Sequence, residues 1–432
     1  MSDFVSADSG FGIQDCTVSR FRFPIASSLR YRIHLESRQL APGTVNLRPG
    51  AMRRVASPTR RPIAGDEVRL RLYSQANSMP GLPLNSHLYT YTLSIFRPFR
   101  ADCWWEHKLS PILATIYSTA ALSRIPFPSL WPVAALALPA LIACASYVSV
   151  LNDLTDAKDD KASGKPNRWP EEPRIYSALL LAGCIAVGGA FLIVWRKDML
   201  LFYTYLLSWL AFTLYSAPPF RLKVRGIWGV LADASGAHLF PTLFAVVLVY
   251  HWSRIEAIAQ WTILIAVWSF AAGVRGILWH QLEDAVNDRK IGLRTFACLH
   301  GTKAAERLGL LTFLLEFAAF SFMLWLTRNA LALLFLVLYG VFALVRWRLL
   351  GTGLTVIKPG QASRMAMAEY YIVLYPLAYL LTASWQQPSA LLLLLFHGLL
   401  FSRHGVYWVH EIVAMLRIGK SDAGPKPAVF HP

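Results

Sequence analysis

Between residues 108 and 385 the chain returns again and again to stretches of about 20 residues with almost no ionisable side chain. A helix crossing a bilayer core of ~30 Å needs about that length of apolar sequence. Such runs lie near 108–126, 129–152, 175–195, 198–216, 227–250, 258–280, 308–328, 330–348 and 368–385. A shorter run, 388–402, is a tenth span or a re-entrant piece. The runs are continuous rather than alternating, so nothing suggests strands. Only 16% of the chain is charged and mean hydropathy is +0.41, against about 25% charged in a soluble domain. The expected fold class is all-α: a polytopic membrane bundle of nine or ten transmembrane helices. The loops after helices 2, 4 and 6 would form a cytosolic cap.

The net charge of +17 could signal nucleic acid or membrane topology, and its placement decides. The polar connections 153–174, 217–226 and 281–307, with 346–367, hold 17 Lys and Arg. The opposite connections are tight and carry five: Arg124, Arg196, Lys197, Arg254 and Arg328. Short loops rich in Lys and Arg stay on the cytoplasmic side. The N-terminus and the long loops are therefore expected in the cytoplasm, or on the equivalent side of an organelle membrane.

The first 100 residues carry 14 Arg, no Lys and six acids, a net of +8. Residues 1–90 read as an Arg-rich disordered extension. A transit peptide or a start at Met52 or Met79 are the alternatives. The Arg pairs at 53–54 and 60–61 lack the interleaved aromatics of a base-stacking surface, so no nucleic-acid partner is expected. Residues 91–403 form the expected transmembrane domain, and 404–432 an amphipathic, basic tail that can lie on the membrane. The five Cys are odd in number and form no CxxC. Neither a structural disulfide nor a zinc site is expected.

Two acidic clusters carry the chemistry. The first closes the second span: Asn152, Asp153, Asp156, Asp159 and Asp160. On a helix Asp153, Asp156 and Asp160 fall within about 60° of one another, while Asp159 points away. Three carboxylates on one face repel unless a cation sits between them. Hard divalent ions take oxygen ligands, and Mg²⁺ typically combines a few carboxylates with substrate phosphates. The plain alternative is a solvated helix end with Lys158 and Lys161 as counter-ions. The second cluster closes the sixth span: His280, Gln281, Glu283, Asp284 and Asp288. Asp284 and Asp288 share a face at i and i+4. Both clusters end even-numbered spans and so face the same side. Together they suit about two divalent ions with a diphosphate between them.

Basic and polar residues complete the anion site: Lys165 and Arg168 after the first cluster, and Tyr215, Arg221 and Lys223 after the fourth span. Lys and Arg can grip phosphate oxygens that metals do not reach. Each can equally be topological charge, and Tyr215 can belong to an aromatic belt. Deeper in the bundle lie Asp233, followed by His238, in the fifth span and Arg275 in the sixth. Ionisable groups at such depth are functional candidates by default. Asp233 could orient or deprotonate an acceptor, and Arg275 could hold an acceptor carboxylate or pair with Asp233. A structural ion pair is the alternative for both.

These residues resemble the UbiA-type intramembrane prenyltransferase superfamily. Asn152, Asp153, Asp156 and Asp160 match its Asn-Asp-x-x-Asp-x-x-x-Asp motif. Pro166, Asn167 and Arg168 match the following Pro-Asn-Arg. Tyr215, Ser216, Pro218, Pro219 and Lys223 match its Tyr-Ser-x-Pro-Pro segment and later Lys. Asp284 and Asp288, with Gly292 and Thr295, match the second acidic motif. Where family members often carry a further acid upstream, this chain has Ile277, His280 and Gln281, so His280 or Glu283 would substitute. The resemblance covers about residues 95–385 and implies a nine-helix bundle over Mg²⁺-bound prenyl diphosphate. It further implies transfer of the prenyl group to an aromatic, quinone-precursor or tetrapyrrole acceptor. Intramembrane terpene cyclisation or pentose-phosphate transfer on the same fold is the alternative within enzymes. A cation-coupled transporter is disfavoured, since transporter sites tend to lie near the midplane in broken helices.

Overall fold

A computed structural model describes residues 99–163, 174–359 and 363–421. The expected N-terminal extension 1–90, Lys165, Arg168 and residues 422–432 lie outside them. The described chain is a helical bundle. A short helix α1 (Ala101–Trp104) leads through a π turn (Trp105–Leu109) into α2 (Ser110–Leu122). Then come α3 (Trp131–Ser163), α4 (Arg174–Trp195) and α5 (Met199–Ser216). α6 (Ile227–Ala234) passes through a second π turn (Ser235–Leu239) into α7 (Phe240–Ser253). α8 (Ala259–Lys290), a short α9 (Phe296–His300), α10 (Thr302–Thr327) and α11 (Ala330–Leu350) follow. A third π turn (Tyr370–Leu374) opens α12 (Tyr375–Gln386), and α13 (Leu391–Leu400) and α14 (Arg403–Ser421) close the chain.

Local chemistry sets the helix ends. Asp198 caps α5, accepting from the N–H of Leu200 at 3.1 Å and of Leu201 at 3.0 Å. Asn329 does the same for α11 through Ala332 N at 2.9 Å. Each cap satisfies donors that a helix start leaves without an intrahelical partner. Pro111, Pro241 and Pro376 stand in the first turns of α2, α7 and α12, where a missing N–H costs nothing.

Seven described segments are long and apolar enough to cross a membrane, or eight if a pair bent by 75° between Pro388–Leu400 and Arg403–Arg417 counts as one span. They correspond to the second through eighth expected spans. The first and ninth expected spans are helices interrupted by π turns, whose regular parts hold 13 and 12 residues. The count of nine thus stands as an expectation. One small correction concerns strands. Gly353–Thr355 and Ser363–Met365 pair in parallel, three residues each, too short to show alternation in the sequence.

The main core is built from α2, α3, α5, α7, α8, α10 and α12, with Trp261, Tyr205, Phe320 and Tyr375 fully buried. A second cluster joins Val230, Val274, Leu278, Ala297 and Ile357 beneath the second acidic motif. Ile193 on α4, Leu311 on α10 and Val337 on α11 stay more than half exposed, a pattern that fits a lipid-covered surface. Cys144, Cys184 and Cys298 are free thiols.

α14 is tied to the bundle by ions. Glu411 meets Arg346 at 3.3 Å and also Arg364, and Arg346 meets Glu369 at 2.9 Å. Glu106 of the first π turn accepts from the N–H of Arg403 at 2.7 Å and of His404 at 2.9 Å. The outer face of α14 presents Val406, Val409, Ile412, Val413 and Leu416.

Candidate active site at the ends of α3 and α8

α3 runs on past its apolar part, so its last turns carry Asn152, Asp153, Asp156, Asp159 and Asp160 beyond the core. The loop after α5 folds back over this end. Ser216 donates to Asn152 Oδ1 at 2.8 Å, and Tyr147 on α3 meets Thr213 on α5 at 2.8 Å. These contacts fix the start of the loop, in which the Pro218–Pro219 bond is cis.

The loop cations then meet the α3 carboxylates. Arg221 Nη2 lies 3.1 Å from Asp156 Oδ1 and 2.6 Å from Asp159 Oδ2, and donates to the Thr155 carbonyl at 3.3 Å. The Lys223 ammonium contacts Asp156 as well. Arg100, at the entrance to the first helix, reaches Asp153 at 2.9 Å. Neither is a ligand candidate by sequence: Arg100 belongs to the charge of the first 100 residues, and Asp159 lies off the face that Asp153, Asp156 and Asp160 share. A long guanidinium bridges an i, i+3 pair that a short side chain could not.

The second acidic helix end is anchored from below. Trp279 Nε1 donates to Glu283 Oε1 at 2.7 Å, and Gln281 Oε1 accepts from Ala297 N at 3.2 Å. Gly226 N donates to the Arg294 carbonyl at 3.1 Å, which pins the loop after α5 against the loop after α8. Asp288 is buried and Thr295 lies 3.5 Å from it.

Lys223 connects the two ends. Burial pulls its pKa down to about 8, Asp288 opposes the fall, Arg100 adds to it and Asp153 opposes it. One side chain thus senses carboxylates from both motifs. Tyr215, at the end of α5, likewise lies within electrostatic reach of Asp233, Asp288 and Asp284. The end of α3, the loop after α5 and the loop after α8 therefore meet in one place.

A family model described as the UbiA prenyltransferase family matches residues 110–353. The chain belongs to the UbiA prenyltransferase family. The matched stretch is more than half the chain and contains both acidic clusters. The 2-acylphloroglucinol 4-prenyltransferase of Humulus lupulus is 29% identical over 201 residues, 44% of this chain and 47% of that protein. The chain thus spans about half the length of this curated relative. A UbiA homolog from Archaeoglobus fulgidus bound to GPP and Mg²⁺ aligns with a TM-score of 0.45 and 16% identity, covering 68% of this chain and 98% of that one. The same homolog bound to DMAPP and Mg²⁺ aligns at 0.41 and 16%, covering 65% and 99%. These two likenesses are too distant to locate a residue.

In this UbiA-family chain, no group of three or more His, Cys, Asp or Glu side chains stands ready to hold a metal among the described residues. Asp153, Asp156 and Asp159 each pair with a guanidinium or an ammonium. The donor set itself is all hard oxygen, which fits Mg²⁺ rather than a soft metal. Arg275 also departs from expectation. It pairs with Glu316 on α10, not with Asp233: Nε to Oε2 is 2.6 Å and Nη2 to Oε1 is 2.7 Å. Both partners are essentially fully buried.

Proposed function

We propose that this UbiA-family protein catalyses Mg²⁺-dependent transfer of a prenyl group from a prenyl diphosphate to an aromatic acceptor within the membrane. The observation that carries this is the loop after α5, whose Arg221 and Lys223 meet the α3 carboxylates and whose Gly226 bonds the Arg294 carbonyl after α8. Asp153, Asp156, Asp160, Asp284 and Asp288 would hold Mg²⁺. Bound there, the metal would neutralise charge developing on the leaving diphosphate. Asn152, Tyr215, Arg221 and Lys223, with Lys165 and Arg168, are the candidate diphosphate contacts. Arg221 and Lys223 now sit on Asp156, so a diphosphate arriving with Mg²⁺ would exchange these partners: cations turn to phosphate and carboxylates to metal. The apolar bundle would exclude water from the allylic cation until the acceptor attacks. The basic long loops support a site that faces the cytoplasm, or the equivalent side of an organelle membrane.

The test offers radiolabelled prenyl diphosphates to the chain in nanodiscs, across a matrix of aromatic acceptors including 2-acylphloroglucinols, with and without Mg²⁺. Mg²⁺-dependent diphosphate release together with a prenylated acceptor is the expected result. Release with a cyclised hydrocarbon and no acceptor product would move the assignment to terpene cyclisation. No release with any donor would end the enzyme reading. Asp233→Asn is expected to abolish acceptor turnover while donor binding persists. Unchanged turnover would remove Asp233 from the mechanism.

A further inference from the structure

The first π turn, Trp105–Leu109, sends two charged side chains different ways. Lys108 is hydrogen-bonded to His238 of the second π turn. Glu106 instead caps α14: it accepts from the backbone N–H groups of Arg403 and His404 and meets the His404 ring. A carboxylate there satisfies donors that a helix start leaves open. Arg100, at the head of the same segment, reaches Asp153. α14 therefore starts at the end of the bundle that carries the acidic helix ends. Its other ion pairs lie at that end too, where Glu411 meets Arg346, near the end of α11, and Arg364.

α13 packs against α2, where His397 meets Tyr117 at 3.2 Å. After α13 the chain bends by 75° into α14. A helix that crosses the ends of membrane-spanning helices lies at the level of the lipid headgroups. At about 100° per residue α14 then shows three faces. His404, Trp408, Glu411 and Met415 share one, which faces the bundle. Val406, Val409, Ile412, Val413 and Leu416 fall within about 120° of one another on a second face, and all five are exposed. Arg403, His410 and Arg417 follow one edge of that apolar arc and are exposed as well. The one acid of α14, Glu411, is engaged by Arg346 and Arg364. The charge along the edge is therefore positive. Arg403 touches Tyr407 and the Asp102 carbonyl, neither of which neutralises it.

We infer that α14 is a docking helix for anionic phospholipid: acyl chains cover its apolar arc, and headgroup phosphates meet Arg403 and Arg417 at its edge. The inference goes beyond the prenyl-transfer reading and holds whether or not that reading does. An apolar face bordered by arginines suits a phospholipid, because the two parts of one lipid molecule match the two parts of the surface. The surroundings agree. α14 crosses α11 at Phe342, whose ring lies 4.9 Å from that of Trp408, and Val341 and Val345 beside Phe342 are exposed. The arc thus borders a wall of the same apolar kind. The two arginines draw it to anionic headgroups by an attraction that falls off within a Debye length.

Photocrosslinking identifies the occupant. p-Benzoylphenylalanine replaces Val413 or Leu416 in the full chain, held in vesicles of phosphatidylcholine and phosphatidylglycerol, and the irradiated adducts are identified by mass spectrometry. Val337, exposed on α11, carries the same probe as the reference for lipid met without charge selection. Lipid adducts are expected at both α14 positions, about fivefold richer in phosphatidylglycerol than at Val337, the size expected of one arginine at an anionic surface. Combining Arg403→Gln with Arg417→Gln should bring that ratio down to the Val337 level and leave the lipid adducts in place. Added salt should lower the ratio when both arginines are present. Adducts to a second copy of the chain, no lipid adduct, or phosphatidylglycerol at its Val337 share overturns the inference. If the double variant does not fold, the ratio with both arginines present and its salt dependence still decide.

Discussion

Replacing Asp156 by Ala is expected to lower Mg²⁺-dependent diphosphate release about 10³-fold, the upper end of what loss of one preorganised charge-stabilising group costs. Asp156 is the carboxylate that both Arg221 and Lys223 reach. Its loss removes a metal ligand from the middle of the three-carboxylate face. It also leaves two cations side by side with less negative charge to offset their repulsion. Asp159→Ala should act mainly through Arg221 and cost about tenfold, an order-of-magnitude expectation for one partly exposed charge-assisted contact. Neither change should move thermal stability much, because both pairs are partly open to solvent and such pairs are worth about 0–1 kcal/mol. Release is measured with radiolabelled donor at saturating Mg²⁺. A wild-type rate in Asp156→Ala would show that the first acidic cluster is only a solvated helix end.

Much of this site can be read from the sequence, because helix periodicity alone places Asp153, Asp156 and Asp160 on one face. The loop cations Arg221 and Lys223 are equally legible as basic residues next to an even-numbered span. What cannot be read is the rotation and depth of one helix against another. Asp233 and Arg275 each stand within an apolar run, and the sequence offers them as partners for one another. The true partner, Glu316, is a lone acid in an apolar run 41 residues further on. Lys108 was hidden differently. It stands where the first apolar run begins, and a reader takes it for an interfacial residue. The π turn that carries it inward inserts one residue into the helix, and no periodicity marks that in advance. Arg100 reaches Asp153 through its own long side chain from outside the span, a reach that spacing along the sequence does not encode.

The largest stability effect is expected at Arg275. Its guanidinium makes two bonds to Glu316 and donates to the carbonyls of Val356 at 3.1 Å and Ala366 at 3.0 Å. Those carbonyls directly follow the two short strands, so one side chain ties α8 to α10 and to the ribbon after α11. Arg275→Met would leave Glu316, 0% exposed, as an uncompensated charge in the bundle, together with two carbonyls that have lost a donor. Breaking a buried pair from one side costs about 3–5 kcal/mol, whereas replacing both partners by apolar residues of similar volume is often neutral or better. The double variant Arg275→Met, Glu316→Leu should therefore be more stable than Arg275→Met alone, with a coupling energy of about 0.5–3 kcal/mol. Unfolding in mixed micelles across the four-member cycle measures this. Additive single effects would mean that the two residues act independently despite their contact. A double variant that recovers stability but not turnover would show that the ribbon and α10 must sit where Arg275 holds them for the site at the end of α8 to work. Loss of turnover in Arg275→Met alone could not show that, because an unfolded chain gives the same result.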